Sequence, residues 1–292
     1  MPTSVRVRVP AKVNLHLSVG PLRADGYHEL ITVFHAVDIT DELIATAANG
    51  ISLTVSGAGT DGVPVGPDNL AWRAAELLAE ATGVAADVHL ELRKRIPVAG
   101  GMAGGSADAA AALLGCARVW DVPADLPQLA GRLGADVAFP LLGGTAIGTG
   151  RGELLDPVPV NAVLHWVFAL ADAGISTGAA YSELDRLRAS GAAPEPIGAP
   201  DALLAALASG DTAAVAANLG NDLEAAALEL RPELWKTLAA GRDAGALGAL
   251  VSGSGPTCAF LCTSAEHAQR VAAALPGRAV TARGPVPGAQ VV

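Results

Sequence analysis

Residues 95 to 112 read Arg-Ile-Pro-Val-Ala-Gly-Gly-Met-Ala-Gly-Gly-Ser-Ala-Asp-Ala-Ala-Ala-Ala, a glycine-rich loop that runs straight into an alanine-rich helix. Lacking a Cβ, glycine lets backbone N–H groups converge on a ligand. The first turn of a helix adds unpaired N–H donors and a partial positive charge. Together they form a cradle for phosphate. The loop is neither of the two commonest phosphate-binding loops. No Lys follows Gly104 or Gly105, as G-x-x-x-x-G-K-[ST] demands, and the four glycines miss the G-x-G-x-x-G spacing of a dinucleotide fold. Read alone, the segment fits a turn before a buried helix as well as it fits a phosphate site.

A second chemical signal is a lysine in an apolar strand. The chain has three lysines, Lys12, Lys94 and Lys236, and Lys12 interrupts an alternating valine-rich stretch. Asn14, two residues on, shares its strand face. Asp136 follows Gly134 and suits either a helix cap or a reactive carboxylate.

The elements that must hold these residues follow from periodicity. Val5 to Val9 and Val13 to Val19 alternate as strands do. Leu43 to Ala47 and Ile51 to Val55 flank Asn49-Gly50 and predict a hairpin. Asp68 reads as the cap of a helix over Leu70 to Ala81, stopped by Gly83. Val88 to Leu92 is the strand that feeds the glycine loop, and Ser106 to Val119 is the helix after it. A further helix spans Leu126 to Leu133. Later come an apolar strand at Val163 to Ala171, helices near Thr177, Asp201, Asp211 and Pro232, and strands on both sides of Ser252-Gly-Ser-Gly-Pro256. A helix from Ala265 to Leu275 and a strand near Val280 complete the pattern. Mixed hairpins and helices indicate α+β rather than a doubly wound sheet.

Composition narrows the classes. The 292 residues, 51% of them hydrophobic, support two domains with a large core. No apolar run reaches the ~20 residues of a membrane span, and the start lacks a signal-peptide apolar region, so a cytoplasmic protein without a membrane partner is expected. A net charge of −10 argues against nucleic acid as partner. Cys116, Cys258 and Cys262 read as buried reduced thiols, without zinc-ligand spacing.

Three motifs now combine in order: Pro10-Ala-Lys-Val-Asn-Leu-His-Leu17, the glycine loop at Pro97 to Ala107, and Val251-Ser-Gly-Ser-Gly-Pro-Thr-Cys-Ala-Phe260. This order resembles the GHMP kinase superfamily. Arg23-Ala-Asp-Gly-Tyr-His-Glu-Leu30 and Gly134-Ala-Asp-Val-Ala-Phe139 narrow the resemblance to the 4-diphosphocytidyl-2-C-methyl-D-erythritol kinases of the non-mevalonate isoprenoid pathway, over nearly the full length. The resemblance implies a two-domain α+β fold, with an N-terminal domain over 1–160 like ribosomal protein S5 domain 2 and a ferredoxin-like C-terminal domain over 161–292. It implies ATP with Mg2+ as co-substrate and phosphorylation of the C2 hydroxyl of cytidine-diphosphate methylerythritol. The metal would be held mainly by nucleotide and water, with no protein ligand assigned.

By the same resemblance, Lys12 and Asp136 match the catalytic pair. Pro97, Val98, Ala99, Gly100, Gly101, Met102, Ala103, Gly104, Gly105, Ser106 and Ala107 match the ATP loop. Asn69 and Leu70 match positions near adenine, although Asn69 suits a helix cap equally well. Asn14, Tyr27, His28, Thr177 and Tyr181 match the substrate side, and the Gly253 to Gly255 turn matches the cleft floor. Ala99 and Ala103 replace glycines common in the family. Alanine is disfavoured at positive φ, so both are expected at negative φ. Mevalonate or homoserine kinase is the nearest alternative, and a non-catalytic nucleotide- or RNA-binding module a more distant one. Both kinase alternatives would lack the Asp25-Gly-Tyr-His28 element.

Overall fold

The computed structural model describes residues 3–57, 59–98, 100–171 and 173–292. The first part runs β1 (Ser4–Leu22), β2 (His28–Ala47), β3 (Ile51–Gly57), α1 (Leu70–Thr82), β4 (Val88–Lys94), α2 (Gly104–Trp120), α3 (Leu126–Leu133), α4 (Ala138–Leu142), β5 (Thr145–Thr149) and β6 (Leu154–Pro157). Then follow β7 (Leu164–Leu170), α5 (Thr177–Ala189), α6 (Asp201–Ser209), α7 (Thr212–Ala217), β8 (Gly220–Asn221), α8 (Glu224–Leu230), α9 (Glu233–Asp243), β9 (Gly248–Val251), β10 (Cys258–Cys262), α10 (Ala265–Ala274), β11 (Arg278–Gly284) and β12 (Gln290–Val291).

The first sheet has the order β12-β1-β2-β4-β3, with β5 also on β2, β6 on β5, and β8 parallel to β1. The second is antiparallel, in the order β11-β7-β10-β9. Numbered within that sheet the order is 4-1-3-2, the ferredoxin-like arrangement that the resemblance implied.

The two alternating stretches expected at residues 5–9 and 13–19 are one strand. A register shift at Pro10/Ala11, where proline offers no N–H to the ladder, joins them in β1. Odd positions from Val5 to Leu17 stay in the core throughout. The even face changes character: Arg6 and Arg8 meet solvent, whereas Lys12, Asn14 and His16 are buried. That change is what turns a sheet face into a site.

The expected Asn49-Gly50 hairpin does not form. Gly50 does turn at φ +72°. However, β4 inserts between the two strands, antiparallel to β2 and parallel to β3. A local turn signal specifies a reversal of the chain, not which strand fills the neighbouring slot. Asn69, not Asp68, caps α1, accepting from the Ala71 N–H at 2.8 Å. All three cysteines are buried and free.

Helix α2 is the centre of the first core. Ala107, Ala109, Ala110, Ala111 and Ala112 are fully buried, which small side chains permit between a sheet and a second helix. At Gly115 a Cβ would sit 3.2 Å from both Ala45 Cβ and Leu43 Cδ2, so the missing side chain lets α2 lie close on β2. The rigid seat of α2 fixes the glycine loop at its N-terminus.

Candidate active site

Lys12 is built into the middle of β1, opposite Ala36 of β2. Its Nζ donates to Asn14 Oδ1 at 2.5 Å and lies 3.5 Å from Asp136 Oδ2. The ammonium also sits 5.7 Å from the centroid of the Phe34 ring, a favourable position for a cation. Asn14 is fixed in turn, because its Nδ2 donates to Thr32 Oγ1 at 2.8 Å, and Thr32 donates to the His16 carbonyl at 2.8 Å. The lysine side chain is 5% exposed and Asp136 37%, so the cation is the buried partner and the carboxylate faces the cleft. Asp136 stands in the turn between α3 and α4, closed by the Val137 N–H donating to the Gly134 carbonyl at 3.2 Å. Tyr181 is close enough that burial first, and the charge of Asp136 second, push its hydroxyl well above its usual range.

The glycine loop lines the same cleft as this pair. Met102 is fully buried and anchors the loop in the core, while its carbonyl accepts from the Lys12 N–H at 3.3 Å. Gly101 (φ +72°) and Ala103 (φ +57°) on its two sides are both left-handed. The expectation of negative φ at Ala103 is therefore wrong. The buried methionine forces the chain to reverse, and the Ala107 N–H bond to the Ala103 carbonyl at 2.9 Å holds the reversal at the start of α2. A left-handed alanine costs about 1–2 kcal/mol, which those anchors offset. Ala99 lies outside the described residues.

A cleft of about 550 Å³ is lined by Lys12, Asn14, Asp136, Thr177 and Tyr181 together with Gly100, Gly101, Ala103, Gly104, Gly105 and Ser106. A second cavity of about 310 Å³ holds Asn69, Leu70, Val98 and Asp108 on its wall, and it too is lined by Gly104 and Gly105. The two spaces meet at the start of α2. Asn69 has both ends of its amide occupied, since Nδ2 donates to the Pro64 carbonyl at 2.7 Å while Oδ1 caps the helix. Met102 and Ala107 present no exposed side chain, and Pro97 lines a separate hollow with Thr40 and Arg95.

Sequence reasoning missed a buried ionic cluster beneath the loop. Lys94 Nζ bridges Asp41 and Asp108, the latter at 2.6 Å, and also donates to the Gly104 carbonyl at 3.3 Å. Asp41 additionally accepts from the N–H groups of Arg95 at 2.5 Å and Ile96 at 2.8 Å. The cluster ties the end of β4, the loop and the first turns of α2 into one unit. Burial, only partly countered by Lys94, pushes the Asp108 carboxyl up to about 8. The scarcity of lysine was the one signal in the sequence.

On the other side of the cleft, Thr177 Oγ1 lies 3.3 Å from Ser254 Oγ. His28 is buried behind Tyr181, with ring centroids 5.3 Å apart. Its Nδ1 is 2.9 Å from the Gly20 carbonyl and its Nε2 is 3.3 Å from Asp185. Tyr27 is exposed and lies over the Arg151 guanidinium, 5.1 Å from ring centroid to carbon. Tyr27 and His28 are thus beside the cleft rather than among its lining side chains. Arg151 is on its wall, and sequence reasoning did not single it out.

The pattern of the GHMP kinases N terminal domain matches residues 69–144, and that of the GHMP kinases C terminal region matches residues 203–280. A 4-diphosphocytidyl-2-C-methyl-D-erythritol kinase of Thermobifida fusca is 57% identical, over 100% of this chain and 99% of that protein. The chain belongs to the 4-diphosphocytidyl-2-C-methyl-D-erythritol kinase family, within the GHMP kinases. A crystal structure of a 4-(cytidine 5'-diphospho)-2C-methyl-D-erythritol kinase superposes with a TM-score of 0.77 at 37% identity, covering 95% of this chain and 98% of that one. A homoserine kinase from Cytophaga hutchinsonii gives a TM-score of 0.78 at 22% identity, over 100% of this chain and 98% of that one, and shares the fold alone. The two structures are therefore alike in overall shape and differ in sequence identity to this chain. Among the described residues of this family member, no three His, Cys, Asp or Glu side chains cluster as metal ligands, and no helix is long and apolar enough to cross a membrane.

Proposed function

We propose that this kinase moves the γ-phosphoryl group of ATP to the C2 hydroxyl of 4-diphosphocytidyl-2-C-methyl-D-erythritol. The observation that carries the reading is the Lys12–Asp136 pair, 3.5 Å apart, in a cleft that the glycine loop also lines. The second cavity, opening at Gly104 and Gly105, suits the adenosine of a nucleotide whose phosphates lie over the N–H groups at the start of α2.

Phosphoryl transfer needs positioning and charge neutralisation more than covalent help from the protein. The acceptor hydroxyl oxygen attacks the γ-phosphorus. The bond from that phosphorus to the β–γ bridging oxygen breaks, and its electron pair leaves with ADP. Asp136 takes the hydroxyl proton as the new P–O bond forms. Lys12, held in place by Asn14, pairs with the Asp136 carboxylate and offsets the charge on the moving group. The half-exposed carboxylate over a buried ammonium fits these two roles.

Magnesium supplies further neutralisation of the phosphate charge when bound with the nucleotide. Ser106, at the first turn of α2, offers a hard oxygen donor of the kind it takes, and the nucleotide and water would supply most of its ligands. On the substrate side, Tyr27 and Tyr181 offer aromatic faces for a pyrimidine, and Thr177 a hydroxyl.

The purified protein with ATP should release ADP in the presence of the cytidine-diphosphate substrate, and not with mevalonate or homoserine. ADP release with either of the latter instead would assign the chain a different acceptor.

A further inference from the structure

Resting on the cytidine-diphosphate reading, a second polyanion has to share the cleft with ATP. The charged side chains on the cleft wall are Lys12, Asp136 and Arg151. Lys12 is committed to Asn14 and Asp136. Arg151 is the other cation, and its ion pair with Glu153, at 3.4 Å, uses Nε alone.

Its setting is that of a prepared anion ligand rather than a surface arginine. The turn between β5 and β6 carries it, and that turn is fastened to β2 by the Leu30 N–H donating to the Gly150 carbonyl at 2.7 Å. Glu153 orients it, accepting from the Arg151 backbone N–H at 2.7 Å and from Nε at 3.4 Å. Nη2 reaches the Gly131 carbonyl at 3.5 Å. Of the five N–H groups of a guanidinium, three are left without a partner among the described residues. The guanidinium carbon lies over the Tyr27 ring, 5.1 Å from its centroid, within cation–π range. The N–H groups left without a partner are the donors a phosphate fork would use.

We infer that Arg151 binds the diphosphate of the cytidine substrate and so helps set specificity for a cytidine diphosphate over an uncharged acceptor. Its contact with Tyr27 links the phosphate site to the aromatic ring beside it. The same chemistry would also suit the phosphates of ATP, so the test must separate the two.

Calorimetric titration of wild type, Arg151→Gln and Arg151→Lys with CDP and with cytidine, together with the KM for ATP, does so. Arg151→Gln is expected to lose about 10- to 100-fold in CDP affinity, the range for charge-assisted hydrogen bonds. Its cytidine affinity and its KM for ATP should stay within about twofold of wild type, and Arg151→Lys should recover part of the CDP affinity by charge alone. An equal loss for cytidine and CDP would overturn the proposal, because Arg151 would then merely hold the Tyr27 ring. A rise in the KM for ATP larger than the loss for CDP would assign the residue to the nucleotide instead, and unchanged CDP binding would remove it from recognition. If wild type binds neither probe, the cytidine reading itself fails, a result distinct from any effect of the variants.

Discussion

Ser252 donates its hydroxyl to the carbonyl of Gly101, 3.1 Å away and 151 residues earlier in the chain. A Cβ on Gly101 would fall 2.1 Å from the Ser252 carbonyl, so the contact exists only because position 101 is glycine. Gly253 follows, and a Cβ there would come within 3.2 Å of Lys12 Nζ. The two glycine-rich turns thus interlock directly against Lys12. Asn221 braces the arrangement from behind, donating to the Val251 carbonyl at 2.8 Å and the Gly253 carbonyl at 2.7 Å.

Replacing Asp136 with Asn preserves shape and removes the proton acceptor. The variant is expected to lose about 10²–10⁴-fold in kcat with little change in either KM. Steady-state kinetics check this, and a kcat near that of wild type would take Asp136 out of the mechanism.

The neighbouring glycines of the loop should separate into two classes. A Cβ on Gly105 meets only Leu70 Cδ1 at 3.7 Å, whereas one on Gly104 meets Ile96 Cγ2 at 3.1 Å and Lys94 Nζ at 3.3 Å. Gly105→Val should therefore stay folded and raise the KM for ATP. Gly104→Val should lower the melting temperature by disturbing the buried Lys94 cluster. Melting curves and ATP kinetics on both variants would reveal any reversal.

Ala103 offers a test of backbone strain. Ala103→Gly should stabilise the protein by about 1 kcal/mol, because glycine accepts a left-handed conformation without penalty. Ala110→Gly, in the buried interior of α2, should destabilise it by about 0.5–1 kcal/mol from backbone entropy, with the lost buried methyl adding to the cost. Opposite signs in denaturant unfolding are the expected result, and equal losses would mean that position 103 carries no strain.

Acid should weaken the fold through His35. Complete burial lowers its imidazole to about 3, with Nδ1 2.8 Å from Thr145 Oγ1. The unfolded chain takes up this proton below about 6.5, the folded chain only near 3, so stability present at neutral pH is lost as pH falls between them. The slope for one such group is about 1.4 kcal/mol per pH unit. His16, also lowered by burial, acts in the same direction. Denaturant unfolding at neutral and mildly acidic pH should show the decline, and His35→Leu should reduce its steepness.

The residues proposed to meet the reacting atoms were more legible in the sequence than those that hold them. Lys12 stood out because a lysine in a valine-rich strand has to be explained, and the loop because four glycines before a helix have a chemical use. Lys94, Asp41 and Asp108 join three elements that periodicity treats separately, so their meeting is a property of the packed sheet. The Asn49-Gly50 turn was visible, but the insertion of β4 was not, since strand order depends on long-range pairing. Ala103 misled because intrinsic preference yields to the anchoring of Met102. Arg151 was hidden because one arginine after a glycine is an ordinary turn until its neighbours are known.

The strand that carries Lys12 is bordered on its outer edge by late parts of the chain. His16 and Leu17 pair with Gly220 and Asn221, and Val7 and Arg8 with Val291 and Gln290. Synthesis runs from the N-terminus, so this edge stands open until residues 220 and then 290 have been made. An open edge is an invitation to pair with another chain. The nascent protein therefore exposes an edge of the strand that carries Lys12, and chaperone capture during translation should concentrate on products that stop short of residue 220.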